Sequence, residues 1–347
     1  MIKRRSAAAA LGLPRRGGTA GGALGEALRP SPGDVSDADK RRQAPTSTDK
    51  RLRWLAMNTP QPSMPQVQFR DGARWPALGL GTWQYGESAA RRPAEVVALR
   101  AALEIGYRVF DTAEMYGEGG AETVLGQALT EALAAGVVRR DELLIVSKVY
   151  PHNAGRAAMR RACDASRRRL NIDCIDLYLL HWRGSVPLAE TVAGFGDLIE
   201  RGWIARWGVS NFDTADLREL VALPGGQACA ANQVYHSLSE RGPEFELLPW
   251  QREHTMPLMA YSPIDQGALA ADAALGEIAQ RLGATATQVA LAALLAQQAV
   301  MAIPKSRDAR RLRENWAAGT LQLTEEDLAA LDRAFPRPQR KKPLAMR

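Results

Sequence analysis

The stretch RVFDTAEMYGEGGAE, Arg108 to Glu122, sets a carboxylate, Asp111, shortly before a phenol, Tyr116. Two more reactive side chains end apolar runs: Lys148 follows LLIVS and His181 follows DLYLL. Taken singly, each has a plainer use as a surface lysine, a satisfied core histidine or a packing aromatic. At the ends of strands that should be buried, however, a lysine and a histidine are costly unless paired or used. A consistent arrangement pairs the Lys148 ammonium with the Asp111 carboxylate, brings their charge near Tyr116 and keeps His181 within reach of the same phenol. An adjacent ammonium stabilises phenolate and is expected to lower the tyrosine pKa from its ordinary ~10. A phenol that gives up a proton, beside an imidazole that orients an acceptor oxygen, suits a carbonyl becoming an alcohol. The hydride must then come from a nicotinamide or a flavin, because no side chain supplies one.

The same stretch permits another reading, in which GEGG cradles a phosphate. A dinucleotide fingerprint needs glycines at the first, third and sixth positions of a strand-to-helix turn, so that backbone can approach a pyrophosphate. Gly117 and Gly119 fit, but Glu122 stands where the third glycine belongs and would repel the ligand. The segment therefore reads as a flexible loop before a helix that begins near Ala121.

Positioning these residues requires a scaffold, and the chain supplies one from Val67 onward. A hairpin is expected in VQFRDGARW, with Asp71 and Gly72 as a two-residue turn. Candidate strands follow at 77–83, 108–113, 142–149, 174–181, 205–211, 231–237, 257–263 and 300–306, with helix-like sequence between them. Eight such units over residues 65–335, with no break in composition, predict an α/β fold of the closed (β/α)8 TIM-barrel type. An open doubly wound sheet is the alternative, disfavoured because no strand turns into a glycine-rich phosphate loop. LTEEDLAALDRAF adds a C-terminal helix: Thr324 can cap it, acids fill its first turn, and Leu328 and Leu331 share a face. Barrel sites form at the carboxyl ends of strands. Those ends hold Asp111, Lys148, His181, Ser210 with Asn211, Gln233, Tyr261, and Lys305 with Ser306.

The chain has 347 residues and a net charge of +7, which would ordinarily raise nucleic acid or anionic membrane as partners. The excess lies in the leader: residues 1–56 hold 12 Lys and Arg against five Asp and Glu, and the rest hold 33 of each. Neither nucleic acid nor membrane is therefore expected as a partner, and a neutral body without an apolar stripe fits a monomer. Residues 1–64 read as a disordered basic leader. Its apolar run, Ala7 to Leu13, is broken by Pro14, Arg15 and Arg16, so no export is expected. Translation starting at Met57 or Met64 would account for the leader, and peptides from residues 1–50 in protein made from the native gene would refute that. Cys163, Cys174 and Cys229 are odd in number and have no CxxC spacing, so neither a disulfide framework nor a metal site is expected, and a reducing cytoplasm fits. No apolar run approaches the ~20 residues of a membrane span. Residues 336–347 form a basic, proline-broken tail with no assigned function.

In order along the chain, GLGTW (79–83), FDTAEMYGEGGAETVLGQAL (110–129), SKVYP (147–151), LYLLHW (177–182), GVSNF (208–212), NQVYH (232–236), AYSP (260–263), and IPKS with REN (303–306 and 313–315) resemble the aldo-keto reductase family. The resemblance covers roughly Val67 to Phe335. It implies NADPH-dependent carbonyl reduction on a (β/α)8 barrel, with Asp111, Tyr116, Lys148 and His181 as the catalytic tetrad. It implies further that Ser210, Asn211 and Gln233 hold the nicotinamide carboxamide and that Tyr261 stacks on its ring. Lys305, Ser306 and Arg311 match the positions that grip the 2′-phosphate, with Glu314 and Asn315 near adenine. Two cations there favour NADPH over NADH on charge grounds, although a solvated helix face also explains Arg307, Arg310 and Arg313. Trp83, Tyr150 and Trp182 lie just past strand ends as walls of an apolar substrate pocket or as rim packing. HWRGSVPLAETVAGF resembles bacterial members assigned to methylglyoxal and diketo-gluconate reduction.

Two other functions share these residues. A Schiff-base lyase would use Lys148 as nucleophile, leaving the nicotinamide and phosphate sets without a role. An NADPH-sensing barrel would bind the cofactor and turn over only incidentally.

Overall fold

The computed structural model describes residues 63–346. Residues 1–62 of the leader, with the proposed start at Met57, therefore lie outside the described residues, whereas the other proposed start, Met64, lies within them. The hairpin forms from β1 (Gln66–Gln68) and β2 (Arg74–Pro76), with Val67 opposite Trp75. Its loop has one residue more than the expected two. Phe69 N donates to Ala73 O at 2.9 Å, which closes a three-residue connection, and Gly72 N donates back to Phe69 O at 2.9 Å. Gly72 takes a positive φ of 85°, the conformation such loops require at their last residue.

Eight strands then run parallel: β3 (Leu80–Gly81), β4 (Val109–Asp111), β5 (Leu144–Val149), β6 (Leu177–Leu180), β7 (Trp207–Ser210), β8 (Cys229–Tyr235), β9 (Leu258–Tyr261) and β10 (Val300–Ala302). Each pairs with its sequence neighbours. A parallel bridge between Leu78 and Ala302 joins the first strand to the last, reinforced by Gly79 N donating to Ala302 O at 2.9 Å, so the sheet closes on itself. Every residue of β5 and β6 is buried, as expected where one strand face fills the barrel and the other lies under helices.

Helices α1 (Arg92–Ile105), α2 (Gly120–Ala134), α3 (Arg156–Leu170), α4 (Leu188–Glu200), α5 (Thr214–Ala222) and α6 (Leu247–Glu253) follow successive strands. In α3, Met159, Ala162, Cys163, Ser166 and Leu170 are buried, a stripe of helical period that leaves Arg160, Arg161 and Arg168 exposed. Between β9 and β10 the chain forms two helices, α7 (Ala273–Leu282) and α8 (Ala286–Leu295), and α9 (Ala309–Ala317) follows β10. The predicted extra helix is α10 (Glu325–Ala334), capped as expected, with Thr324 Oγ1 accepting from Asp327 N. Leu331 of α10 joins Leu275, Ile278, Val289 and Ala293 in a small satellite core over α7 and α8.

The basic tail is docked on the barrel body. Lys341 Nζ lies 3.4 Å from Asp213 and 3.2 Å from Glu246, and Leu344 packs against the main core. Among the described residues no helix is long and apolar enough to cross a membrane. Cys163, Cys174 and Cys229 are unpaired thiols.

Candidate active site

Parallel strands deliver the reactive side chains to one end of the barrel. Asp111 ends β4 and Lys148 lies in β5, and the parallel pairing sets these strands side by side. Lys148 Nζ donates to both Asp111 oxygens at 2.8 and 2.7 Å, and to Thr112 O at 2.9 Å. It also lies 3.2 Å from Tyr116 Oη. The lysine is fully buried and Asp111 almost so, so this ion pair acts in a medium that screens little. His181, just past β6, meets the Tyr116 ring edge-on, with centroids 5.8 Å apart. All four expected residues thus share one site.

Their electrostatics correct one expectation. Burial raises the Tyr116 phenol above its ordinary value and Asp111 adds to that, whereas the charge and hydrogen bond of Lys148 only partly offset it. Tyr116 therefore keeps its proton and is a donor. Burial also works against the Lys148 ammonium, but Asp111 and Tyr116 outweigh it and hold the group above its ordinary range. A lysine kept charged is a poor nucleophile, which counts against Schiff-base chemistry. Burial, followed by the Lys148 charge, lowers His181 to about 2, so the imidazole is neutral. Its Nδ1 has no hydrogen-bond partner among the described residues.

The GEGG segment forms a loop, as expected. Gly117, Glu118 and Gly119 all have positive φ, and α2 begins at Gly120. Gly86 approaches so closely that a Cβ on it would meet Gly120 C at 2.0 Å. Glu122 is turned into the core, where it accepts from Ser147 Oγ and, at 2.7 Å, from Arg169 Nε. This acid, a misfit in a phosphate cradle, pins α2 to the residue preceding Lys148.

The residues expected around nicotinamide form a chain along β7, β8 and β9. Ser210 Oγ donates to Gln233 O at 2.8 Å, and Gln233 Nε2 donates to Asp111 Oδ1 at 2.7 Å. The Asn211 amide bonds to His181 O and Ser210 Oγ and accepts from Tyr261 Oη at 3.0 Å. Tyr261 is half-buried and stacks on Tyr235. Sequence reasoning missed that Gln233 reaches the tetrad, a contact between residues 122 positions apart.

Lys305 and Ser306 follow β10, and Arg311, Glu314 and Asn315 lie on α9. Lys305 Nζ donates to Gln84 Oε1 at 3.2 Å, and burial, with Arg307 adding to it, lowers its ammonium. Arg311 is exposed and makes no ion pair among the described residues. Glu314 pairs with Arg310 at 2.7 Å, and Asn315 is buried. Asp308 Oδ1 already accepts from Arg311 N at the start of α9, which leaves anion recognition there to side chains.

Among the expected pocket walls, Tyr150 and Trp182 pack edge-on at 5.8 Å and flank His181 at 6.5 and 4.9 Å. Trp83 is 43% exposed and joins no ring cluster among the described residues. Two neighbours went unread: His152, whose ring lies 4.7 Å from Tyr150, and Glu114, which accepts from Tyr150 N at 2.7 Å. The acid in DTAE was their available signal. A separate charged groove, where Arg140, Arg167 and Asp176 meet the ends of α2 and α3, contains none of these residues.

The sequence model of the aldo/keto reductase family matches residues 77–335. Methylglyoxal reductase YeaE of Escherichia coli is 48% identical over 285 residues, 81% of this chain and 98% of that protein. The crystal structure of an aldo/keto reductase from Klebsiella pneumoniae in complex with NADP and acetate is 46% identical, with a TM-score of 0.78, covering 82% of this chain and 100% of that one. A thermostable aldo-keto reductase solved with the inhibitor epalrestat is 38% identical, with a TM-score of 0.73, covering 78% of this chain and 99% of that one. A closed parallel barrel with a buried lysine joining an aspartate to a phenol, and relatives matched over nearly their full length, identify the chain as an oxidoreductase belonging to the aldo/keto reductase family.

Proposed function

We propose that the protein reduces small aldehydes and ketones, dicarbonyls and keto-sugars among them, to alcohols with NADPH, using Tyr116 as general acid. The observation that carries this reading is Lys148, buried and bonded at once to Asp111 and Tyr116. Tyr116 Oη gives its proton to the carbonyl oxygen as negative charge develops there. The nearby ammonium stabilises the phenolate left behind, and Asp111 keeps that ammonium charged and in place. A neutral imidazole carries a single ring N–H, which lets His181 orient the carbonyl oxygen without competing as an acid.

The residues present fit a nicotinamide dinucleotide. The unpartnered Nδ1 of His181, the half-buried Tyr261 ring and the Lys305 and Arg311 cations offer the polar, stacking and anion-binding partners it needs. Ser210, Asn211, Gln233 and Tyr261 would hold the nicotinamide end; Lys305, Ser306 and Arg311 the 2′-phosphate; and Glu314 and Asn315 the adenine. When bound, the cofactor supplies the hydride. Tyr150, Trp182 and Trp83 would wall an apolar substrate pocket. The likeness to a methylglyoxal reductase favours small dicarbonyls. The unpaired thiols fit a reducing cytoplasm, and the neutral body fits a monomer.

The test follows oxidation of NADPH, then NADH, with small dicarbonyls, aromatic aldehydes and keto-sugars, for the purified protein and Tyr116→Phe. NADPH-dependent turnover that falls by ~10²–10⁴ in the variant is expected. Undiminished turnover in Tyr116→Phe would refute the assignment of the acid.

A further inference from the structure

The phosphate end of the barrel carries a charge pair that the chemistry above does not use. Arg307 lies 3.4 Å from Glu95 Oε1, with its guanidinium 5.6 Å from the centre of the Tyr85 ring. Glu95 is 1% exposed, a rare place for a carboxylate. Its Oε2 accepts from Gly86 N at 2.8 Å, whereas Oε1 has no hydrogen bond among the described residues. Glu95 thus answers Arg307 through charge alone, and the guanidinium donors make no hydrogen bond among the described residues. Tyr85 Oη donates to Ser306 O at 2.7 Å and Gln84 accepts from Lys305, so the pair is tied to the segment holding the expected phosphate residues. Lys305 senses both members: Arg307 adds to the burial that lowers its ammonium, and Glu95 opposes it.

We infer that Arg307 is a third cation for the cofactor's 2′-phosphate and that Glu95 sets its weight, so that this pair tunes selection of NADPH over NADH. The inference rests on the assignment of Lys305 and Arg311 to that phosphate. A planar guanidinium with open donors matches phosphate oxygens. Glu95 cancels much of its field, the two opposite charges acting independently on a phosphate bound nearby. NADH has no such phosphate and is indifferent to the pair.

The test is titration of NADPH and of NADH onto the intact protein and onto Glu95→Gln, Arg307→Met, the double variant and Lys305→Met. Gln keeps the shape of Glu95 and an acceptor for Gly86 N. Reading each result as the ratio of the two dissociation constants cancels any loss of folded protein. Glu95→Gln should strengthen the NADPH preference about three- to tenfold, Arg307→Met should weaken it by a similar factor, and the double variant should return close to wild type. Single variants that leave the ratio unmoved would overturn the inference, as would a double variant no better than Arg307→Met. If Lys305→Met lowers the ratio while the pair variants do not, only the pair fails. If Lys305→Met is also silent, the phosphate assignment falls with it.

Discussion

Replacing Lys148 with methionine keeps the volume of a fully buried side chain and deletes its charge. The variant loses two hydrogen bonds to Asp111 at 2.8 and 2.7 Å, one to Thr112 O at 2.9 Å and one with Tyr116 at 3.2 Å. Asp111, 2% exposed, keeps Gln233 Nε2 at 2.7 Å as a neutral donor but has no counter-charge among the described residues. Deleting one partner of a buried ion pair costs ~3–5 kcal/mol, a large share of the ~5–15 kcal/mol by which domains are stable. With a urea slope of about 3 kcal/mol/M, the unfolding midpoint should fall by roughly 1 M or more. Combining Asp111→Asn with Lys148→Met removes the orphaned charge and should recover part of that loss. Turnover should stay at least ~10²-fold down in both, because the ammonium facing the phenol is absent in both. The reasoning is refuted if Lys148→Met is as stable as wild type, or more stable than the double variant.

Two further predictions concern pH and loop contact. His181, held at about 2 in the folded protein, binds a proton in the unfolded chain below about 6.5. Stability should therefore fall as pH drops from about 6.5 toward 2, by up to ~1.4 kcal/mol per unit from this residue. Urea unfolding between about pH 7 and 5 should show a shallower acid loss in His181→Asn, and parallel slopes would count against the buried neutral imidazole. Gly86→Ala places a Cβ 2.0 Å from Gly120 C at a φ of +73°, so it should cost more than ~2 kcal/mol and lower turnover by displacing the Tyr116 loop. Gly136→Ala has a φ of +68° with nothing within 4 Å and should cost only the backbone strain; equal losses in thermal unfolding would refute the packing argument.

Much of the architecture was legible because it rests on periodicity. Short apolar runs separated by amphipathic stretches specify strands and covering helices whatever the distant contacts, and Thr324 with Asp327 announced the start of α10 through a local cap. The hairpin was read one residue short because a loop with a left-handed glycine at its end and a two-residue turn share the same Asp-Gly signal. The paired helices α7 and α8 were not separated, since both belong to one apolar, alanine-rich stretch.

The site divides in the same way. Residue type and position at strand ends singled out Asp111, Lys148 and His181, with Tyr116 in the loop that follows Asp111, because parallel strands carry their carboxyl ends to one rim regardless of loop length. Tertiary structure alone decided the state of the phenol. The sequence supplies a nearby cation that lowers its pKa, but burial, which no local pattern measures, outweighs that cation. The same holds for Gln233 on Asp111, Glu122 between Ser147 and Arg169, and Glu95 against Arg307. Sequence determined which groups this protein has and toward which end of the barrel they travel. Packing decided which of them touch and which lose their water, and desolvation depends on atoms from every strand and loop at once.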